Sequence, residues 1–106
     1  MVSNKSKYRK FLSYVKQNKM YNGLSEKTYT ELTNRNCYYC DLDLSDKTGA
    51  RLDRIDSNKG YILQNVVPCC KRCNVAKNDM TIHEFITWLH NAHQTMAQRL
   101  AELGVI

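Results

Sequence analysis

The first third of the chain has a helical rhythm. Tyr8, Phe11, Leu12 and Val15 recur at i, i+3, i+4 and i+7. This puts them on one stripe and predicts an amphipathic helix over about residues 6–19. Lys7, Arg9, Lys10 and Lys16 flank the stripe and are expected on the solvent side. Asn22-Gly23 breaks the pattern. Ser25 can then cap a short helix through about Leu32, with Leu24 and Leu32 facing the core. The period changes in the middle of the chain. Ala50-Arg51-Leu52-Asp53-Arg54-Ile55-Asp56 alternates apolar and polar, which predicts a strand. Ser57–Gly60 reads as a loop in which Gly60 is free to take a positive φ. Asn65-Val66-Val67-Pro68 is a second short strand, with Pro68 at its end or on an edge. A helical turn or two is expected over Lys71–Asn78. Thr81-Ile82-His83-Glu84 is a capping box. After it Phe85, Leu89, Ala92, Met96, Leu100 and Leu103 recur in steps of three and four, a long helix ending near Gly104. Its apolar face is expected to pack on the first helix or the small sheet, with a partner interface as the alternative. Helices around two short strands make the class α+β.

Composition sharpens this. At 106 residues the chain is one small domain with a modest core, and domains of this size often add a metal or a disulfide. No apolar run approaches the ~18 residues of a membrane span. Met1 to Lys7 carries charge with no apolar stretch behind it, so it is not read as an export signal, and a cytoplasmic setting is expected. In that setting the five cysteines are metal ligands or buried thiols rather than disulfides. Charge is uneven. Residues 1–36 hold eight Lys/Arg against two Asp/Glu, residues 37–79 seven against six, and residues 80–106 one against two. The whole excess of +6 therefore sits in the N-terminal third. A basic surface of this kind favours a polyanion such as nucleic acid.

The cysteines have ligand spacing. Cys37-x-x-Cys40 and Cys70-x-x-Cys73 are two tight pairs separated by 29 residues. Each can place two sulfurs on one ion, and together they complete a closed tetrahedral structural Zn²⁺ site with no open position for chemistry. Binding would supply folding energy that the small core lacks. Cys69 is the fifth cysteine. It reads as a small buried hydrophobe, or as a ligand in place of Cys70 at the cost of the x-x spacing.

From Cys37 to about Phe85 the chain resembles the HNH endonucleases, the ββα-metal class, in the small zinc-stapled form met in bacteriophages and large viruses. The residues that carry the resemblance are Cys37-Tyr38-Tyr39-Cys40, Leu52-Asp53-Arg54-Ile55-Asp56, Gly60-Tyr61, Asn65-Val66-Val67-Pro68-Cys69-Cys70 and Cys73-Asn74-x-x-Lys77. The resemblance covers just under half the chain. It implies a single HNH-type domain over 1–106: a basic helical extension (1–36), a zinc-stapled ββα motif (37–80) and a C-terminal helix (81–104). It also implies a second ion, Mg²⁺ or Mn²⁺, at the scissile phosphate. Asp53 and Asn74 match the ligand positions for that ion, and both offer the oxygen donors a hard cation takes. Asn65 matches the residue that ties the long loop so that the base is aimed.

One departure matters. Most members of the family place a histidine, the general base, directly after the acid. Here that residue is Arg54, which cannot accept a proton but can grip a phosphate. Asp56 is the nearest acceptor in sequence and shares the Arg54 side of an ideal strand. Tyr61 is a second candidate base, and hydroxide on the ion a third. His83, His90 and His93 all fall on the last helix; surface or packing roles are expected for His90 and His93, while His83, nearest the motif, stays open as a further candidate. The resemblance thus implies a metal-dependent endonuclease acting on DNA, double-stranded by expectation. Asp53, Arg54, Asn65, Asn74 and Asp56 form its site, and Arg54, Lys71, Arg72 and Lys77 meet phosphates. Recognition of a long site would need a homodimer or a larger phage or viral partner, in the host cytoplasm if the chain is viral. The alternative is a zinc-stapled nucleic-acid-binding module in which Arg54 has replaced lost chemistry. A weaker third reading is a protein-interaction domain that uses the last helix.

Overall fold

The computed structural model describes residues 4–45 and 51–104. These comprise α1 (Asn4–Gln17), α2 (Glu26–Thr33), β1 (Arg51–Arg54), a 3₁₀ turn at Leu63–Asn65, β2 (Val66–Cys69), α3 (Lys71–Lys77) and α4 (Ile82–Glu102). The expected α+β class holds. The chain divides into two compact units, Met1–Ala76 and Lys77–Ile106.

The first unit is built on the stripe of α1. Phe11 and Val15 are buried with Leu24, Tyr29, Leu32, Leu52, Tyr61 and Val66, and Tyr8 and Met20 pack against them. Phe11 is the hub. It stacks on Tyr29 at 4.6 Å between ring centroids and meets Tyr61 edge-on at 4.9 Å. Such pairs add to simple area burial. Phe11→Ala is therefore expected to cost about 3–5 kcal/mol, measured by urea unfolding of the zinc-loaded protein. Leu12 lies at the stripe's edge and stays exposed. Ser25 caps α2 as expected, accepting from the Thr28 N–H.

Lys7 departs from the sequence reading. Lys7 is buried (8% exposed), and its Nζ donates to the Leu44 carbonyl at 3.4 Å. Its long stem covers apolar surface while the ammonium finds a backbone oxygen. Leu44 itself belongs to a second small cluster with Cys37, Cys69 and Cys70.

β1 and β2 form a two-stranded antiparallel sheet that pairs Asp53 with Val67 and Leu52 with Pro68. Both strands are edges, so Pro68 is tolerated inside β2 and does not end it. Its carbonyl accepts from Tyr38 N–H at 2.8 Å. β1 is shorter than the alternation suggests. It ends at Arg54, and beyond it Ile55 N–H turns to the Asn65 carbonyl at 2.8 Å. Asp56 is thus off the strand, and the side it would share with Arg54 on an ideal strand does not apply. Ala50, where the alternation begins, lies outside the described residues. Asn65, expected in the second strand, sits in the preceding 3₁₀ turn.

Gly60 departs as well, because it does not use a positive φ. A Cβ there would lie 2.6 Å from the Tyr21 carbonyl oxygen and 2.7 Å from the Tyr21 Cβ, so glycine is required by close approach. The segment between α1 and α2 runs alongside residues 60–61 at this point. Tyr61 N–H donates to Tyr21 O at 2.8 Å, and Gly23 N–H donates to Tyr61 O at 2.7 Å.

In the second unit α4 opens on the predicted capping box, in which Glu84 N–H donates to Thr81 Oγ1 and Thr81 N–H donates to Glu84 Oε1. These bonds to the Thr81 backbone and side chain hold the Glu84 carboxyl below its usual range. Phe85 is fully buried and stacks on Trp88 at 6.1 Å. Leu89 and Ala92 are half-buried. Met96, Leu100 and Leu103 are exposed, Leu103 at 75%, so the distal part of the apolar stripe is not covered as the periodicity suggests. Gly104 takes φ +75 past the helix end, as a C-terminal glycine does.

Candidate metal centre and hydrolytic site

The two CxxC pairs meet. The sulfurs of Cys37, Cys40, Cys70 and Cys73 all lie within 4.8 Å of one another, and Cys40 Sγ is 3.8 Å from Cys70 Sγ. Four thiolates at about 2.3 Å from a tetrahedral zinc stand about 3.8 Å apart, so the donor set and its spacing fit structural Zn²⁺. Each pair sits on a turn that aims backbone N–H groups at sulfur. Asp41 takes φ +65, and its N–H closes on the Cys37 carbonyl at 2.9 Å. Cys70 N–H points at Cys37 Sγ and Cys73 N–H at Cys70 Sγ. Burial pushes the Cys37 thiol up. Backbone hydrogen bonds from Cys70, Cys40 and Tyr39 outweigh it and bring the thiol down to about 7, whereas burial pushes the Cys40 and Cys73 thiols up. Cys69 is fully buried outside this cluster, where burial pushes its thiol up. It is the small apolar residue of the sequence reading, and Cys70 is the ligand candidate.

β1 places Asp53 beside this cluster. Asp53 is buried and accepts a hydrogen bond at Oδ2 from the Tyr39 hydroxyl, which the first CxxC turn carries. Burial, then the bond to Asp53, pushes the Tyr39 phenol far above its usual value, so it stays protonated. The sequence reading quoted Tyr38 and Tyr39 within the first CxxC motif and gave neither a role of its own. The alternating exposure of the pair, Tyr38 out and Tyr39 in, is decided by the fold.

The loop after β1 is held by Asn65. Its Oδ1 accepts from Asp56 N–H at 2.9 Å, and its Nδ2 donates to the carbonyls of Asp56 and Gly60, each at 3.0 Å. Asn65 is itself buried. One buried amide therefore fixes both ends of the loop. Asn65→Ala is expected to cost about 2–4 kcal/mol. It should speed hydrogen exchange at the Asp56 amide far more than at Leu52 in the sheet.

Arg54 works on the same loop. Its Nη1 donates to Ser57 O at 2.8 Å and Lys59 O at 3.0 Å, and its guanidinium lies 5.5 Å from the Tyr61 ring centre. Its Nη2 makes no hydrogen bond among the described residues. The Asp56 carboxylate accepts from Asn58 N–H at 2.9 Å, so it also shapes the loop. Burial, then the neighbouring Tyr14, raises the Tyr61 phenol to about 12. A base matched to neutral pH needs a lower value, which counts against Tyr61 in that role. Asn74 follows Cys73 on α3, where its N–H bonds the Cys70 carbonyl at 3.0 Å, and it is half-buried. Lys71 and Arg72 are exposed on the first turn of the same helix. Lys77 is 5% exposed, unlike those two. His83, His90 and His93 lie exposed on α4.

No protein-family model matches the chain. Among solved structures it is similar to that of the rare-cutting HNH restriction endonuclease PacI, with a TM-score of 0.67 over 100% of this chain and 84% of that one, at 18% identity. The chain has the HNH fold. Over 80 residues, 76% of its length, it is also 35% identical to an uncharacterized protein of Acanthamoeba polyphaga mimivirus, and it spans 15% of that protein. Within the HNH fold, Asp53 on β1 and Asn74 on α3 occupy the strand and helix of the ββα unit, and Asn65 occupies the turn between the strands. No helix among the described residues is long and apolar enough to cross a membrane.

Proposed function

We propose that this chain is a divalent-metal-dependent endonuclease that hydrolyses phosphodiester bonds in DNA, stapled by zinc at Cys37, Cys40, Cys70 and Cys73. The observation that carries the reading is the buried Asp53 on the first strand of an HNH fold. A buried carboxylate offers the oxygen donors that a hard cation takes. DNA is taken from the similar structure, whose protein is a restriction endonuclease. Asp53 and Asn74 would hold Mg²⁺ or Mn²⁺, and their carboxylate and amide oxygens fit a hard ion. When bound, that ion supplies charge neutralisation at the scissile phosphate.

The remaining roles belong to the chain's own side chains. Arg54 holds the loop through Nη1 and meets phosphate through Nη2. Asn65 keeps the loop, and Asp56 within it, in place. Asp56 is the carboxylate left to accept a proton from the attacking water. Lys71 and Arg72, with the exposed Arg9, Lys10 and Lys16 of α1, position the backbone without reading sequence, and Lys77 stays out of that surface. A long target would call for a second copy of the chain or a larger partner protein.

The test is nicking of supercoiled plasmid with Mg²⁺, Mn²⁺ or EDTA, run beside Asp53→Ala. Cleavage with either ion, abolished by EDTA and by the substitution, is expected. The engagement of Arg54 Nη1 by two loop carbonyls favours one other reading, a binding module in which arginine rigidifies a loop that no longer cuts. That reading predicts salt-sensitive DNA binding with no cleavage under any ion.

A further inference from the structure

We infer that Tyr39 is a positioning residue of the hydrolytic centre. Its hydroxyl, delivered by the first zinc turn, sets the orientation in which the Asp53 carboxylate takes the divalent ion. This rests on the nuclease reading above and on Asp53 being a ligand. Tyr39 lies between two sulfur ligands, so its backbone is pinned on both sides. Asp41 N–H closes the turn on Cys37 O, Cys37 N–H bonds Leu42 O at 2.7 Å, and Tyr38 N–H ties the turn to β2 through Pro68 O. From that fixed base the Tyr39 hydroxyl reaches Asp53 Oδ2, 14 residues away in sequence.

An aspartate side chain turns easily about its last bond, whose wells are broad. A donor fixed on one oxygen selects one orientation, and partners of this kind behind a metal ligand are worth about 10–100-fold in metal affinity or activity. The arrangement also gives the zinc turn a second task. It carries the group that aims the ligand of the other ion, so the two metal sites are coupled through one phenol. Tyr38, the neighbour in the same turn, is exposed and stands edge-on to the Tyr39 ring at 5.3 Å. It supplies an internal control.

The experiment uses the full zinc-loaded chain and two readouts: Mn²⁺ binding followed by electron paramagnetic resonance of the free ion, and plasmid nicking as a function of Mg²⁺. Tyr39→Phe is expected to keep one zinc per chain and to weaken Mn²⁺ binding about 10-fold. Its nicking curve should move to higher Mg²⁺ by a similar factor, with a maximal rate close to that of the parent. Tyr38→Phe should leave both readouts unchanged. Parental Mn²⁺ affinity and Mg²⁺ dependence in Tyr39→Phe would overturn the inference. So would loss of zinc or of the circular dichroism spectrum in that variant, since the hydroxyl would then serve the fold. Asp53→Ala separates the two levels. If it loses Mn²⁺ while Tyr39→Phe keeps it, only the role of Tyr39 falls. If Asp53→Ala itself binds Mn²⁺ normally, the nuclease reading fails and the positioning role fails with it.

Discussion

Asp53→Ala is expected to lower Mg²⁺-dependent nicking by about 10³-fold or more while one zinc per chain remains bound. At 1.36 kcal/mol per factor of ten this is about 4 kcal/mol of lost transition-state stabilisation, in the range a catalytic ion contributes. Asp53 is the sole carboxylate on the two strands, so no neighbour in the sheet can substitute. The variant also leaves the Tyr39 hydroxyl without this acceptor, at a cost of about 1–3 kcal/mol in stability. Asp53→Asn controls for that effect, because an amide oxygen can still accept from Tyr39 while the negative charge is gone. Its rate should fall nearly as far as that of the alanine variant, with a smaller change in melting temperature. Nicking at the parental rate in both variants would remove Asp53 from the site.

Removing zinc is expected to unfold the first unit. Structural zinc in small domains contributes apparent binding energies of about 10–16 kcal/mol near neutral pH, as large as the whole stability of a typical domain. The cluster of Cys37, Leu44, Cys69 and Cys70 has few apolar side chains of its own. Without the ion, four sulfurs within 4.8 Å have only weak hydrogen bonds to hold them. Cys70→Ser, or a strong chelator on the parent chain, should abolish zinc binding and the cooperative melt followed by circular dichroism. Cys69→Ala should keep one zinc, because its sulfur donates to the Cys70 carbonyl at 3.3 Å instead of joining the cluster. Zinc lost from Cys69→Ala and retained in Cys70→Ser would reverse the assignment of the two cysteines.

The sequence was most legible where one local rule acts alone. Ser25 and Thr81 cap helices because a hydroxyl beside the first free amides has one obvious partner. The stripe of α1 was read from spacing, because helical period and burial agree along Tyr8, Phe11 and Val15. The CxxC pairs were legible because two sulfurs three residues apart on a turn can reach one ion whatever surrounds them. Legibility fell where competing partners lie far apart in the chain. β1 stops at Arg54 because Asn65, nine residues on from Asp56, captures the Asp56 amide. Lys7 is buried because a carbonyl at Leu44 is there to receive it. Gly60 is required by the backbone of Tyr21, which its own loop gives no hint of.

By itself, then, the sequence determined most of the elements, the four cysteines of the candidate metal site and the placement of an acid on a short strand between them, since each depends on near neighbours and on fixed covalent geometry. The tertiary structure alone decided that α1, α2 and their connection are built into the same core as that strand. It also decided that Arg54 spends half its fork on a loop, and that a tyrosine inside the zinc turn touches Asp53. Those outcomes depend on which polar groups lose water together. That is set only when distant segments close on one another, because a buried donor or acceptor must then find whatever partner the packing has brought within reach.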